Sequence, residues 1–284
     1  MKKNLFIGGA AALATAVVVK KAIEKKRAAQ REFVETRHKI LIVGAASAIA
    51  QETARLFAAE GNDLFLVARN KNNLQAVADD LRVRGAAKEA KIETAVLDLN
   101  ELSEHAALLE KATQSLGGLD IVLIAHGTLG DQEASQADFD VARQELKTNF
   151  LSVVSLLTLI ANQFEAQKNG VIAVVSSVAG DRGRGSNYVY GTAKAGVSTF
   201  LQGLRNRLSK AGVSVITIKP GFVDTPMTAH IDKGPLFVGP DAIAKGIYQA
   251  ILNKKDVVYL PPFWFGIMSV IIHIPESIFK RLSL

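Results

Sequence analysis

Cysteine is absent from the 284 residues, which removes disulfides, thiolate nucleophiles and cysteine-ligated metals together. Internal repeats are lacking as well, which excludes a solenoid or array. The histidines His38, His105, His230 and His273 show no metal-ligand spacing, and no metal site is predicted; His126 could reach a ligand at the sheet edge or pack beneath a turn, and packing is favoured. Long apolar runs are scarce. The best, Leu5–Val19, would be about 22 Å long as a helix against a hydrocarbon core of roughly 30 Å. Negative charge is in deficit, with a formal net charge of +7. The basic residues are nevertheless spread along the chain, and their one cluster, Lys20 to Arg31, directly follows the apolar run, so no nucleic-acid partner is expected.

That cluster and the run before it predict a marginal membrane anchor. The heavier positive flank lies downstream and keeps the remainder of the chain on the cytoplasmic side. A signal peptide cleaved near Ala14-Thr15-Ala16 and a plain helix are the competing readings. At the other end Phe263 to Ile274 is almost free of polar side chains and precedes Lys280 and Arg281. Such a tail suits either a membrane interface, with Trp264 at headgroup depth, or a lid or dimer contact over an apolar pocket. The organisation expected is therefore an anchor candidate at 1–19, a basic helical linker at 20–38, a main domain at 39–260 and the apolar tail at 261–284.

Within the main domain short β-rich runs alternate with longer helical patterns, which predicts an α/β fold with one doubly wound, parallel, seven-stranded sheet of the Rossmann kind. Strands are predicted at Lys39–Val43, Asp63–Val67, Ile92–Leu97, Ile121–Ala125, Val171–Ser176, Ser214–Lys219 and Val257–Leu260. Helices are predicted at Ile49–Glu60, Leu74–Arg84, Glu104–Leu116, Ala137–Phe164, Tyr188–Lys210 and Asp241–Asn253.

In such a sheet a dinucleotide lies beyond the carboxyl ends of the strands, with its pyrophosphate at the first strand-to-helix turn. That turn, "VGAASAIA", lacks two of the usual three glycines. Gly44 permits the sharp exit, Ser47, Ala48 and Ile49 open the helix, and Ala48 and Ala50 stand where later glycines would be. An added methyl tightens such a turn without forbidding it. Arg69 ends the second strand, where an arginine suits a 2′-phosphate and so favours NADPH over NADH. Asp98 and Leu99 follow the third strand and Gly127 the fourth. Each has an ordinary explanation, as a cap or a turn, but together they fall at consecutive strand ends.

In "SSVAGDRGRGSNYVYGTAKAG", Ser177 is followed thirteen residues on by Tyr190 and four residues later by Lys194. On these residues the chain resembles the short-chain dehydrogenase/reductase family, with Asn149 of "LKTNFLS" matching its fourth catalytic member. Tyr188 is a decoy, because four residues beyond it lies Thr192. One helical turn separates Tyr190 from Lys194, so the ammonium is expected beside the phenol, lowering its pKa from about 10 toward the working pH. Tyr190 then donates a proton to a carbonyl oxygen that Ser177 steadies. The resemblance implies that Lys194 also holds the nicotinamide ribose and that Asn149 keeps a water in the proton path. It further implies that Pro220, Val223 and Thr225 of "KPGFVDTPM" face the nicotinamide, with a substrate loop from Met227 to Gly239. Departures from the family pattern are Val43, Ala48, Ala50 and the Ala125-His126-Gly127 triplet.

Within the family, "IAHGT" and "HIPESIFKRL" are similar to bacterial reductase components of decaprenylphosphoryl-ribose 2-epimerases. That resemblance implies a polyprenyl-phospho-2-keto-pentose substrate and a flavin oxidase partner. Long-chain keto-lipids, ketosphinganine and steroids are alternative substrates, and a membrane-tethered NADPH-binding scaffold or sensor is the reading from another class. The family resemblance implies a homo-oligomer, pairing through the helices predicted at Ala137–Phe164 and Tyr188–Lys210.

Overall fold

The computed structural model describes residues 20, 24, 28 and 30–282. The chain divides into two compact units, Met1–Thr36 and Arg37–Leu284, and the fold and site below belong to the second. The expected anchor run, Leu5–Val19, lies outside the described residues.

Seven strands form one sheet: β1 Lys39–Val43, β2 Asp63–Ala68, β3 Ile92–Val96, β4 Ile121–Ile124, β5 Gly170–Val175, β6 Val213–Pro220 and β7 Val257–Leu260. Every neighbouring pair is parallel. The order is β3-β2-β1-β4-β5-β6-β7, so the chain reverses direction across the sheet between β1 and β4. Strands β1 and β4 read "KILIV" and "IVLI" and are buried almost throughout. Such continuous runs of Ile, Leu and Val fit strands covered by helices on both faces.

The helices are α1 Ala48–Ala59, α2 Lys71–Gly85, α3 His105–Leu116, α4 Gln132–Ala137, α5 Phe139–Leu146, α6 Ser152–Gln167, α7 Tyr188–Leu208 and α8 Pro240–Leu252. One face of the sheet is covered by α3, α6 and α7, whose Leu109, Leu156, Phe164 and Leu201 join Val43, Val122 and Ile172 in a single apolar cluster. On the other face α1 meets α8, with the Phe57 and Tyr248 rings 4.9 Å apart. Helix starts follow their sequence signals. Ser47 accepts from the Ala50 N–H at 3.2 Å to cap α1, and Asn70 accepts from the Asn73 N–H at 2.9 Å to cap α2.

Two expectations are corrected. The continuous helix predicted over Ala137–Phe164 is broken at Asp138, which is extended and caps α5 through its carboxylate. It is broken again by a π-helical turn at Lys147–Leu151, while α4 precedes it unannounced. Asp favours capping over helix interiors because its side chain competes for backbone N–H groups, and the π turn rotates the following residues relative to a regular α-helix.

The second correction concerns location. The sequence predicts membrane association with a cytoplasmic catalytic domain, but among the described residues no helix is long and apolar enough to cross a membrane. The apolar tail instead folds into α9 Phe263–Ile271 and α10 Glu276–Phe279. It turns Trp264 and Met268 inward against Val178, with Phe222, Tyr259 and Ile271 around them. Arg182 anchors this cap to the loop after Ser177. It donates to the Glu276 carboxylate at 2.6 Å and to the Ile272 carbonyl at 3.1 Å, and lies over the Phe279 ring. Nearby, the buried Lys219–Asp181 pair is joined by the Tyr259 hydroxyl, which donates to Asp181 at 2.7 Å.

Candidate active site

Beyond the carboxyl ends of the strands lies a cavity of about 1290 Å³. All the residues singled out from the sequence line it: Gly44, Ser47, Ala48, Ile49, Arg69, Asp98, Leu99, Gly127, Asn149, Ser177, Tyr190, Lys194, Pro220, Val223 and Thr225. At the first turn Gly44 takes φ +82°, and a Cβ there would sit 2.5 Å from the His126 backbone nitrogen, so only glycine fits. Ala48 faces the cavity while Ala50 is fully buried behind it. Only one of the two methyls therefore bears on a ligand. The start of α1 offers N–H groups and a positive helix end to an anion. Arg69 is exposed at the rim, and among the described residues its guanidinium has no carboxylate within 4 Å. Asp98 is tied locally, accepting from the Asn100 N–H at 3.0 Å.

The four residues expected to be catalytic converge from three elements. Ser177 follows β5 with extended backbone, and its Oγ accepts from the Ala179 N–H at 3.1 Å. Its hydroxyl lies near enough to Tyr190 to work against the rise in the phenol's pKa. On α7, Lys194 is 4% exposed and donates to the Val175 carbonyl at 3.1 Å. Its Nζ stands 5.6 Å from the centre of the Tyr190 ring. The π turn carries Asn149, fully buried, whose Oδ1 accepts from the Thr128 N–H at 3.1 Å.

Electrostatics here depart from expectation. Tyr190 is pushed up to about 12, because its surroundings desolvate the phenolate; the Ser177 hydroxyl opposes that rise and the Glu145 carboxylate adds to it. Lys194 is pushed down to about 8 by burial, with Glu145 pulling the other way. Helical spacing alone implies an ammonium that brings the phenol down. The ammonium is instead directed at a backbone carbonyl and sits in the field of a carboxylate, while burial of the phenol dominates.

Glu145 is the residue that sequence reasoning missed. It lies four residues before Asn149, is 7% exposed, and accepts from Asn149 Nδ2 at 2.7 Å and from Thr128 Oγ1 at 2.7 Å. Burial raises its carboxyl above the usual range, against those two hydrogen bonds and the Lys194 charge. Helical spacing from Asn149 was a signal for it, since residues four apart share a face. His126 packs under the Gly44 turn as expected. Its Nε2 meets Ser152 Oγ at 2.8 Å, and burial, reinforced by Lys194, pushes it down to about 3, so it stays neutral.

Comparisons with known proteins agree with this arrangement. The short chain dehydrogenase family matches residues 38–235. An uncharacterised oxidoreductase of Mycobacterium tuberculosis is 35% identical over 243 residues, 86% of this chain and 96% of the relative. Another, from Streptomyces coelicolor, is 32% identical over 244 residues, covering 86% and 95%. Among solved structures, levodione reductase superposes with a TM-score of 0.73 at 22% identity, covering 80% of this chain and 97% of that one. An actinorhodin polyketide ketoreductase solved with NADPH gives 0.70 at 20% identity, covering 78% and 95%. The chain belongs to the short-chain dehydrogenase/reductase family and is an oxidoreductase of that type, with NAD(P)H as its cofactor.

Proposed function

We propose that the protein is an NADPH-dependent reductase of a ketone carried on a lipid or lipid-linked sugar, with a polyprenyl-phospho-2-keto-pentose the favoured substrate. The observation that carries the reductase reading is the convergence of Ser177, Tyr190, Lys194 and Asn149 on one cavity, with Lys194 Nζ 5.6 Å from the centre of the Tyr190 ring. The cofactor fits the chain's own groups. The start of α1 suits the pyrophosphate, unpaired Arg69 suits a 2′-phosphate, and Lys194 beside Gly127 suits a ribose. When bound, the nicotinamide supplies hydride to the carbonyl carbon.

The protein's part is to manage the oxygen. Hydroxyls of Ser177 and Tyr190 converge on one acceptor, so the carbonyl oxygen is polarised by two donors as negative charge develops on it. Tyr190 Oη, which holds its proton firmly at neutral pH, then delivers that proton. Lys194, which donates to the Val175 carbonyl and lies beside Gly127, is placed to hold the cofactor's ribose. Glu145 and Thr128 hold the Asn149 amide, fixing the π turn beside Lys194.

An apolar wall of Phe222, Trp264, Met268 and Ile271 lines the same cavity and supports a substrate with a hydrocarbon body. That wall equally favours the second reading, a long-chain keto-lipid, ketosphinganine or steroid. For the sugar substrate, a flavin oxidase partner would supply the 2-keto group. Exposed Phe139, Val141 and Leu151 on α5 and the π turn support pairing of two copies of the chain there.

The test is NADPH consumption by the full chain with a polyprenyl-phospho-2-keto-pentose, a keto-sphingoid base and a keto-steroid in turn. On whichever is consumed, Tyr190→Phe should lower kcat about 10²- to 10⁴-fold, the usual contribution of a positioned acid. A Tyr190→Phe enzyme as fast as wild type overturns the assigned mechanism.

A further inference from the structure

The loop Asp181–Asn187 joins the Ser177 turn to α7 and carries two arginines with opposite fates. Arg182 is consumed by the C-terminal cap, as described. Arg184 lines the cavity, is partly buried, and among the described residues has no carboxylate within 4 Å of its guanidinium. Burial alone pulls its pKa below the arginine range, with nothing opposing. A guanidinium withdrawn from water without a counter-ion is costly unless a ligand supplies one.

Two further open valences belong to the same corner. Gln132 Nε2 and Asn187 Oδ1 are buried and have no hydrogen-bond partners among the described residues, and both residues line the cavity. The Val189 N–H donates to Gln132 Oε1 at 3.1 Å, which fixes that amide so that Nε2 is its free donor. The Asn187 N–H donates to the Arg184 carbonyl at 3.2 Å, tying Asn187 to Arg184. Carboxylates at this end are otherwise placed. Asp131 accepts from the Ala134 N–H at 3.0 Å to cap α4, Glu133 is exposed, and neither pairs with Arg184. The features that suit the cofactor's phosphates are on other segments, Ser47–Ile49 and Arg69, whereas Arg184 stands between Ser177 and Tyr190 in the chain.

We propose that Arg184 and Gln132 Nε2 form an anion subsite for a phosphate ester or carboxylate carried by the ketone substrate, with Asn187 Oδ1 accepting from a neighbouring hydroxyl. The assignment rests on reading this cavity as a reductase's substrate site. It narrows the substrate from an apolar ketone to one that also bears a fixed negative charge. A planar guanidinium forks onto two oxygens of such a group, and Arg184→Lys, a point charge, should be only partly competent.

The test uses the full chain saturated with NADPH, so that Arg69 is engaged. Calorimetry with decyl phosphate and with decanoate should show binding weakened about 10- to 100-fold in Arg184→Gln, the usual scale for losing a charge-assisted hydrogen bond, with Arg184→Lys in between. Gln132→Glu, which sets a negative charge in the same cavity, should weaken binding comparably. Tighter binding of decyl phosphate assigns the subsite to phosphate, and tighter binding of decanoate to carboxylate. Binding of neither, or equal binding by wild type and Arg184→Gln, overturns the subsite. In parallel, a decyl-phospho-2-keto-pentose and the neutral decyl 2-keto-pentoside are offered as substrates. Arg184→Gln should lose about 10- to 100-fold more kcat/KM on the first than on the second. Reduction of both with equal losses sinks the subsite and leaves the reductase standing. Reduction of neither sinks the reductase reading, while the calorimetry still decides the subsite.

Discussion

Tyr190 keeps its proton because both the burial of its phenol and the Glu145 carboxylate disfavour a second negative charge, against the Ser177 hydroxyl. Lys194 is the group whose charge changes within reach of ordinary buffers, at about 8. On the proposed mechanism reduction needs a protonated Tyr190 and a charged Lys194, so kcat/KM at saturating NADPH should fall as pH rises through about 8. Glu145 raises the Lys194 pKa, so Glu145→Gln should move that alkaline limb to lower pH. A limb that stays put would remove Glu145 from the site's electrostatics. The Ser177, Tyr190 and Lys194 spacing was legible because it is fixed by one strand end and one helical turn. Glu145 was signalled only by its spacing four residues before Asn149, and a glutamate in a helix ordinarily faces solvent. Only the tertiary fold encloses it.

At the scale of elements, the C-terminal cap shows what sequence periodicity leaves open. The composition of Phe263–Ile274 announced an apolar surface but not its partner. The choice was made by Gly221, whose missing side chain leaves room for the indole of Trp264: a Cβ there would overlap the five-membered ring. Gly221→Ala should therefore expel the indole and dismantle the wall of Trp264, Met268 and Phe222. Trp264 is the chain's single tryptophan, so its fluorescence reports the change directly. A red shift on Gly221→Ala, with KM for an apolar ketone raised about tenfold, is expected from the loss of roughly one large apolar contact. An unshifted emission maximum would mean that the cap does not depend on this contact. The π turn at Lys147–Leu151 was hidden for a related reason. Its apolar residues keep near-helical spacing, and one extra residue in a turn does not disturb the pattern enough to be read.

For the whole molecule, the alternation of strands and helices was enough to give the sheet and the end of it that binds a ligand, because parallel strands require crossovers and crossovers fix the carboxyl edge. The proposed preference for NADPH rests on one exposed side chain at that edge, Arg69, and it can be read from stability. A ligand that binds only the folded state stabilises it by about 2.7 kcal/mol at a hundred times its Kd. In a chain of this size that corresponds to a Tm rise of roughly 5–10 °C. If Arg69 pairs with a 2′-phosphate, NADPH should raise Tm more than NADH at equal concentration. Arg69→Gln should then lose about tenfold in NADPH affinity, or about 1.4 kcal/mol, and a few degrees of that rise. The NADH shift should stay where it was, since NADH has no phosphate for Arg69 to meet. Equal shifts with both cofactors in wild type, or an Arg69→Gln chain that loses both shifts together, would mean that Arg69 serves the fold or the adenosine in general and does not select the phosphate.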